Sequence, residues 1–168
     1  GTEGADLSLV DPDNRRPVDW EARRTALDAL GPLVDDPSVA AVRDLFADPD
    51  PRAYLYLTTR LLRWRRAHPD LVAVEGYVDL TPEGMGADDW LAFGRFTGPE
   101  DDPDAALLTV VSRHPLTRDS DAPATLPLPD ALAGRTWTDV LTGIAVEADA
   151  ALDVQALPTE LGAVLAAE

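Results

Sequence analysis

Apolar positions in this chain change their spacing once. Up to about residue 72 they recur at steps of three and four; beyond it they come in short runs broken by turn clusters. The first texture predicts helices and the second predicts strands. Asp19 is a suitable N-cap for a helix over about 20–30, and Gly31-Pro32 predicts its stop. Asp36-Pro37 repeats the start signal, followed by Val39, Val42 and Leu45 at helical spacing. Asp50-Pro51 opens a third, longer helix reaching about Ala67. Tyr54, Leu57, Leu61 and Trp64 draw one apolar stripe along it, while Arg60, Arg63 and Arg66 line another face, read as solvated or salt-bridged. His68-Pro69 predicts its end, because the residue before proline is pushed out of the α region.

Strands are expected near 76–80, 90–96, 105–112, 125–128, 136–141, 144–147, 151–154 and 162–166. Thr142-Gly143 signals a tight turn between two of them. Phe93, Leu108, Val110, Trp137 and Leu141 are the expected core, and Trp90 and Trp137 read as core fillers before sugar-stacking aromatics. The fold class is therefore α+β: a loop over 1–18, helices over 19–72, and an antiparallel β-sandwich over 73–168. The long amphipathic helix needs more to pack on than one small sandwich offers.

Charge narrows the partners. A net charge of −17 repels phosphates and so argues against nucleic acid and anionic membranes. All 14 basic residues are Arg, a bias of the source organism that says nothing of chemistry. Without Cys there is no thiolate or disulfide chemistry, and the two His, His68 and His114, stand far apart, so neither a metal nor a cofactor is expected. There is no apolar run of spanning length and no signal-like start, so a cytoplasmic place is expected. The chain opens on Gly1 instead of Met, which suggests a processed, nicked or cut chain.

The candidate chemistry lies in the first loop. Glu3, Asp11, Asp13, Asn14, Arg15 and Arg16 gather carboxylates, an amide and two guanidiniums in a short stretch. Fixed donors and acceptors of this kind suit a polyhydroxylated ligand. A calcium loop does not fit, since Pro12 and the arginines replace the glycine and further acids it needs. Glu3 reads as a supporting residue behind the others. For Arg15 and Arg16 the competing reading is internal: pairing with Asp11 or Asp13 to hold the loop.

Gly1-Thr2-Glu3 and the run Asp6-Leu7-Ser8-Leu9-Val10-Asp11-Pro12-Asp13-Asn14-Arg15-Arg16-Pro17-Val18-Asp19 resemble, at the same spacing, the region after the eighth barrel strand of the maltooligosyltrehalose synthases. These belong to the α-amylase superfamily, glycoside hydrolase family thirteen. Gly4 and Ala5 depart from the pattern, which usually carries bulkier residues there. Thr59-Arg60-Leu61-Leu62-Arg63, His68-Pro69-Asp70-Leu71, Ala92-Phe93-Gly94-Arg95 and the stretch from Trp137 to Gly143 are similar to the family's last barrel helix and C-terminal β-domain.

The resemblance implies the last helices of a (β/α)8 barrel followed by a C-terminal sandwich. It implies an intramolecular transglycosylation that turns a reducing-end α-1,4 linkage of a maltooligosaccharide into an α,α-1,1 linkage. The family's catalytic carboxylates would all precede Gly1, so this chain would carry none. Asp11, Asp13, Asn14, Arg15 and Arg16 would line the substrate side, and the expected partners are the maltooligosaccharide and either the missing barrel portion or a second copy of the chain. Two other readings remain: a carbohydrate-binding β-module, which needs an exposed aromatic pair, and a protein-interaction module.

Overall fold

The computed structural model describes residues 4, 8, 10–12, 15–47, 50–73 and 76–167. Within them four α-helices precede eight β-strands: α1 (Trp20–Asp35), α2 (Val39–Ala47), α3 (Arg52–Ala67), α4 (Pro69–Val72), β1 (Gly76–Leu80), β2 (Trp90–Thr97), β3 (Ala105–Ser112), β4 (Thr125–Pro127), β5 (Arg135–Asp139), β6 (Ala145–Ala148), β7 (Ala151–Asp153) and β8 (Gly162–Ala167). None of the described helices is long and apolar enough to cross a membrane.

The Asp19 carboxylate accepts the Ala22 N–H at 2.9 Å and opens α1 as expected. The expected stop at Gly31-Pro32 is overridden, and α1 runs on to Asp35 with Pro32 inside it. A proline within a helix costs about 3 kcal/mol. Extending the helix buries Val34 beside Leu30 in a cluster with Val42, Leu45 and Tyr56, and each large apolar side chain so buried returns roughly 1.5–3 kcal/mol. For α2 the start moves from Asp36-Pro37 to Ser38, whose hydroxyl accepts the Ala41 N–H at 3.3 Å. The Asp50 signal holds: its carboxylate accepts the Arg52 N–H at 2.8 Å and pairs with the Arg52 guanidinium, which keeps its pKa below the ordinary value. His68 closes α3, but Pro69 then starts the short α4 instead of a plain loop, because proline is tolerated in a first turn.

The buried position on α3 is Tyr56, fully inaccessible, packed edge-on against Phe46. The predicted stripe lies to one side of it: Tyr54 is 64% exposed, and Leu57, Leu61 and Trp64 are half-buried. Of the arginine row, Arg63 pairs with Asp35 at 2.5 Å, whereas Arg60 turns inward and donates to the carbonyls of Val140 and Val34.

The strands form a six-stranded antiparallel sheet in the order β1-β2-β3-β8-β5-β6 and a two-stranded sheet of β4 and β7. One core joins the two, with Leu108, Val110, Trp137 and Leu165 from the larger sheet and Leu126 and Leu152 from the smaller. Phe93, expected inside, lies half-exposed on the other face. Period-two alternation in β2 sends Trp90, Ala92, Gly94 and Phe96 to the core and leaves Leu91, Phe93 and Arg95 outside.

The turn after β5 ties helices to sheet. Gly143 takes a φ of 74°, as the Thr142-Gly143 signal requires. Asp139 is fully buried, and its carboxylate accepts the N–H and hydroxyl of Thr142 at 3.0 and 2.6 Å and the Val164 N–H at 3.3 Å. Burial pushes its pKa above the ordinary value, against the pull of these hydrogen bonds. The outward carbonyls of the turn are taken by α3: Tyr56 donates to Leu141 at 2.5 Å and Arg60 to Val140 at 2.8 Å.

Burial pushes the Tyr56 phenol up to about 12. The folded state therefore holds this proton more tightly than the unfolded chain, and the protein is expected to lose stability as pH rises from about 10 to about 12. Tyr56→Phe is expected to unfold about 1 kcal/mol more easily near neutral pH, for the lost hydrogen bond, and to show a shallower decline in that alkaline window. Urea melts at neutral and alkaline pH measure both; an undiminished alkaline decline in the variant would contradict the assignment.

Candidate functional site

In the first loop Pro17 and Val18 lead into the Asp19 cap of α1, so the segment from Val10 is anchored at one end by a helix start. Its turn is closed by the Arg15 N–H donating to the Pro12 carbonyl at 3.0 Å. The Arg15 guanidinium pairs with the Asp11 carboxylate, and Arg16 donates to the Ser8 hydroxyl. Asp11, Arg15 and Arg16 are all exposed. The structure thus brings three of the expected site residues into one turn, with the arginines engaged inside the loop. Glu3, Asp13 and Asn14 lie outside the described residues.

Two open grooves lie away from this turn: one is formed by Asp19, Ala22, Ala26 and Arg52 between α1 and the start of α3, the other by Leu62, Arg66 and Pro69 beyond the end of α3. Trp20 of α1 is 69% exposed and, like Tyr54 of α3, stands on a helical surface that the described residues leave uncovered. Among the described residues no group of three His, Asp or Glu is placed to hold a metal. His114 lies 3.1 Å from Asp89, and His68 stacks on Trp64.

Trp90 and Trp137 are buried, as expected of core fillers. The indole N–H of Trp137 has no partner among the described residues. A stacked aromatic pair lies on the surface elsewhere. Tyr77 of β1 and Phe93 of β2 stack on the outer face of the large sheet, with ring centroids 5.8 Å apart and planes 25° from parallel. Sequence reading misses this pair, since the two residues meet only through the β1–β2 register, in which Tyr77 faces Arg95 and Asp79 faces Phe93. Alternation alone does place each of them on the outer face. The Tyr77 hydroxyl donates to Asp79 at 2.8 Å, which holds the phenol pKa above its ordinary value.

No family model matches the chain. In sequence it is 35% identical over 145 residues to proteins of two Mycobacterium tuberculosis strains named as maltooligosyl trehalose synthases, a match covering 85% of this chain and 15% of theirs. In structure it is similar to the maltooligosyltrehalose synthase of Arthrobacter ramosus, with a TM-score of 0.68 and 28% identity over 100% of this chain and 19% of that one. A point mutant of the same enzyme gives a TM-score of 0.66. The chain therefore spans about a sixth of the length of the relatives it matches.

The Tyr77–Asp79 contact is directly checkable. Asp79→Asn removes the negative acceptor, so the Tyr77 phenol is expected to titrate lower, toward its ordinary value. Ring NMR shifts followed through alkaline pH measure this, and an unmoved titration would show that Asp79 is not the cause.

Proposed function

Because the chain belongs to the maltooligosyl trehalose synthase family and corresponds to only 15–19% of its relatives' length, we propose that it is the C-terminal part of a longer enzyme that converts the reducing-end α-1,4 linkage of maltooligosaccharides into an α,α-1,1 linkage. The observation that carries this reading is agreement on two independent grounds, sequence identity and fold, along nearly the whole chain.

In this reading residues 1–18 form the loop after the last barrel strand, 19–72 the terminal barrel helices and 73–168 the C-terminal sandwich. A loop in that place borders the substrate cleft, since barrel active sites are built at the C-terminal ends of the strands. The reaction cleaves the C1–O4 bond to the last glucose with a carboxylate nucleophile while a carboxylic acid protonates O4. The freed glucose then turns over, and its anomeric hydroxyl attacks C1, giving up its proton to the same acid group, so no water is consumed. The carboxylates belong to the part of the enzyme outside these 168 residues.

What this chain contributes is substrate support and scaffold. The Arg15 guanidinium and Asp11 carboxylate are held together as a donor and an acceptor, suited to bracketing neighbouring sugar hydroxyls near the reducing end. In the same proposal Arg16, Asp13 and Asn14 are further substrate contacts and Glu3 a supporting residue. The exposed Trp20 and Tyr54 side chains on α1 and α3 meet the rest of the enzyme, which removes them from water. A cytoplasmic place belongs to the same proposal.

Two assays test it. The purified chain incubated with maltopentaose is expected to yield no non-reducing product, and turnover by chain free of any longer enzyme would overturn the division of labour. In the complete enzyme, Arg15→Ala is expected to lower kcat/KM roughly tenfold to a hundredfold, the loss of one hydrogen bond to a charged group. An unchanged kcat/KM would assign Arg15 to holding the loop alone.

A further inference from the structure

The outer face of β1 and β2 carries a small checkerboard. Tyr77 and Asp79 alternate along β1, Phe93 and Arg95 along β2, and the register sets Tyr77 opposite Arg95 and Asp79 opposite Phe93. Two aromatic rings therefore occupy one diagonal and two opposite charges the other. The rings lie near parallel, and Tyr77 is 56% exposed on a strand at the margin of the sheet. Asp79 is exposed and accepts the Tyr77 hydroxyl at 2.8 Å, using one of about four acceptor positions of a carboxylate. Arg95 is half-buried and already engaged, and the register sets this cationic residue across from Tyr77.

From this we infer that the Tyr77–Phe93 face is a second oligosaccharide-binding surface, apart from the first loop, taking neighbouring glucosyl units of a neutral α-linked glucan. The C–H face of a pyranose packs on a flat ring, and its rim hydroxyls need donors and acceptors beside that ring; the checkerboard supplies both within one pair of strands. An anionic ligand is disfavoured by the net charge of −17 and by Asp79 within the patch. A protein partner fits less well, because charged residues are depleted from the centre of protein interfaces and here Asp79 and Arg95 occupy the other diagonal of the same four positions. The tryptophans offer no competing platform, since Trp90 and Trp137 are in the core. The choice of an α-linked glucan rests on the synthase reading above; the place of the surface rests on the sheet.

The test is titration of the 168-residue chain with maltoheptaose, followed by isothermal calorimetry and by the ring NMR signals of Tyr77 and Phe93. Saturable binding that moves both rings is expected, with Tyr77→Ala weakening it about tenfold and Tyr77→Phe, which keeps the ring, retaining most of it. Far-UV circular dichroism confirms that the variants stay folded, which exposure of Tyr77 favours. Absence of binding to the folded wild-type chain, or binding unaltered in Tyr77→Ala, overturns the inference. So does a Tyr77→Ala variant whose only defect is weaker association with the rest of the enzyme, for that makes the face a protein contact. The synthase reading fails separately: it falls if the complete enzyme does not convert maltopentaose, whatever this surface binds.

Discussion

The turn between β5 and β6 holds the two halves of the chain together. Its backbone carbonyls at Val140 and Leu141 point away from the sheet and would be costly to leave buried without partners. Arg60 and Tyr56, one turn apart on α3, supply the donors. From beneath, Asp139 draws in the Thr142 N–H and hydroxyl and the Val164 N–H of β8, while the Val140 N–H bonds to the Val164 carbonyl at 2.7 Å. One turn thus joins α3, β5 and β8. Arg43 adds a second tie, donating from α2 to the Pro158 carbonyl at 2.6 Å, so the helical layer is held to the β-part by polar contacts to backbone as well as by packing.

That arrangement explains what was legible in the sequence. Each of the eight strands was expected within one or two residues, because alternation and turn residues are local properties that the sheet has no reason to overrule. Asp19 and Asp50 worked for the same reason, each bonding an N–H within three residues. The failures were tertiary. Pro32 is carried inside α1 because Leu30 and Val34 flank it on a buried face. The α3 stripe was read as its packing face, yet the buried residue is Tyr56, drawn by a carbonyl 85 positions away that no periodicity reveals. Phe93 was expected inside, yet the alternation that puts Trp90, Ala92 and Phe96 on the core face sends it to the other one.

The candidate site divides in the same manner. The first loop stood out because its unusual composition is contiguous, and the described part keeps Asp11, Arg15 and Arg16 in one exposed turn. The Tyr77–Phe93 pair was invisible because it is made by register and not by spacing. An aromatic pair on a sheet was the feature that a carbohydrate-binding reading needed, and Tyr77 and Phe93 form one.

The uncovered helical surface around Trp20 and Tyr54 marks where the central claim is exposed to test. The direct measurement is reconstitution: the catalytic portion of the longer enzyme, produced without these 168 residues, is assayed on maltopentaose before and after adding the purified chain. A portion that is inactive alone and recovers conversion to the non-reducing product when the chain is added, but not when Trp20→Ser/Tyr54→Ser chain is added, is the expected result. A portion equally active with and without the chain, or one that never associates with it, would contradict a place for this chain within the synthase.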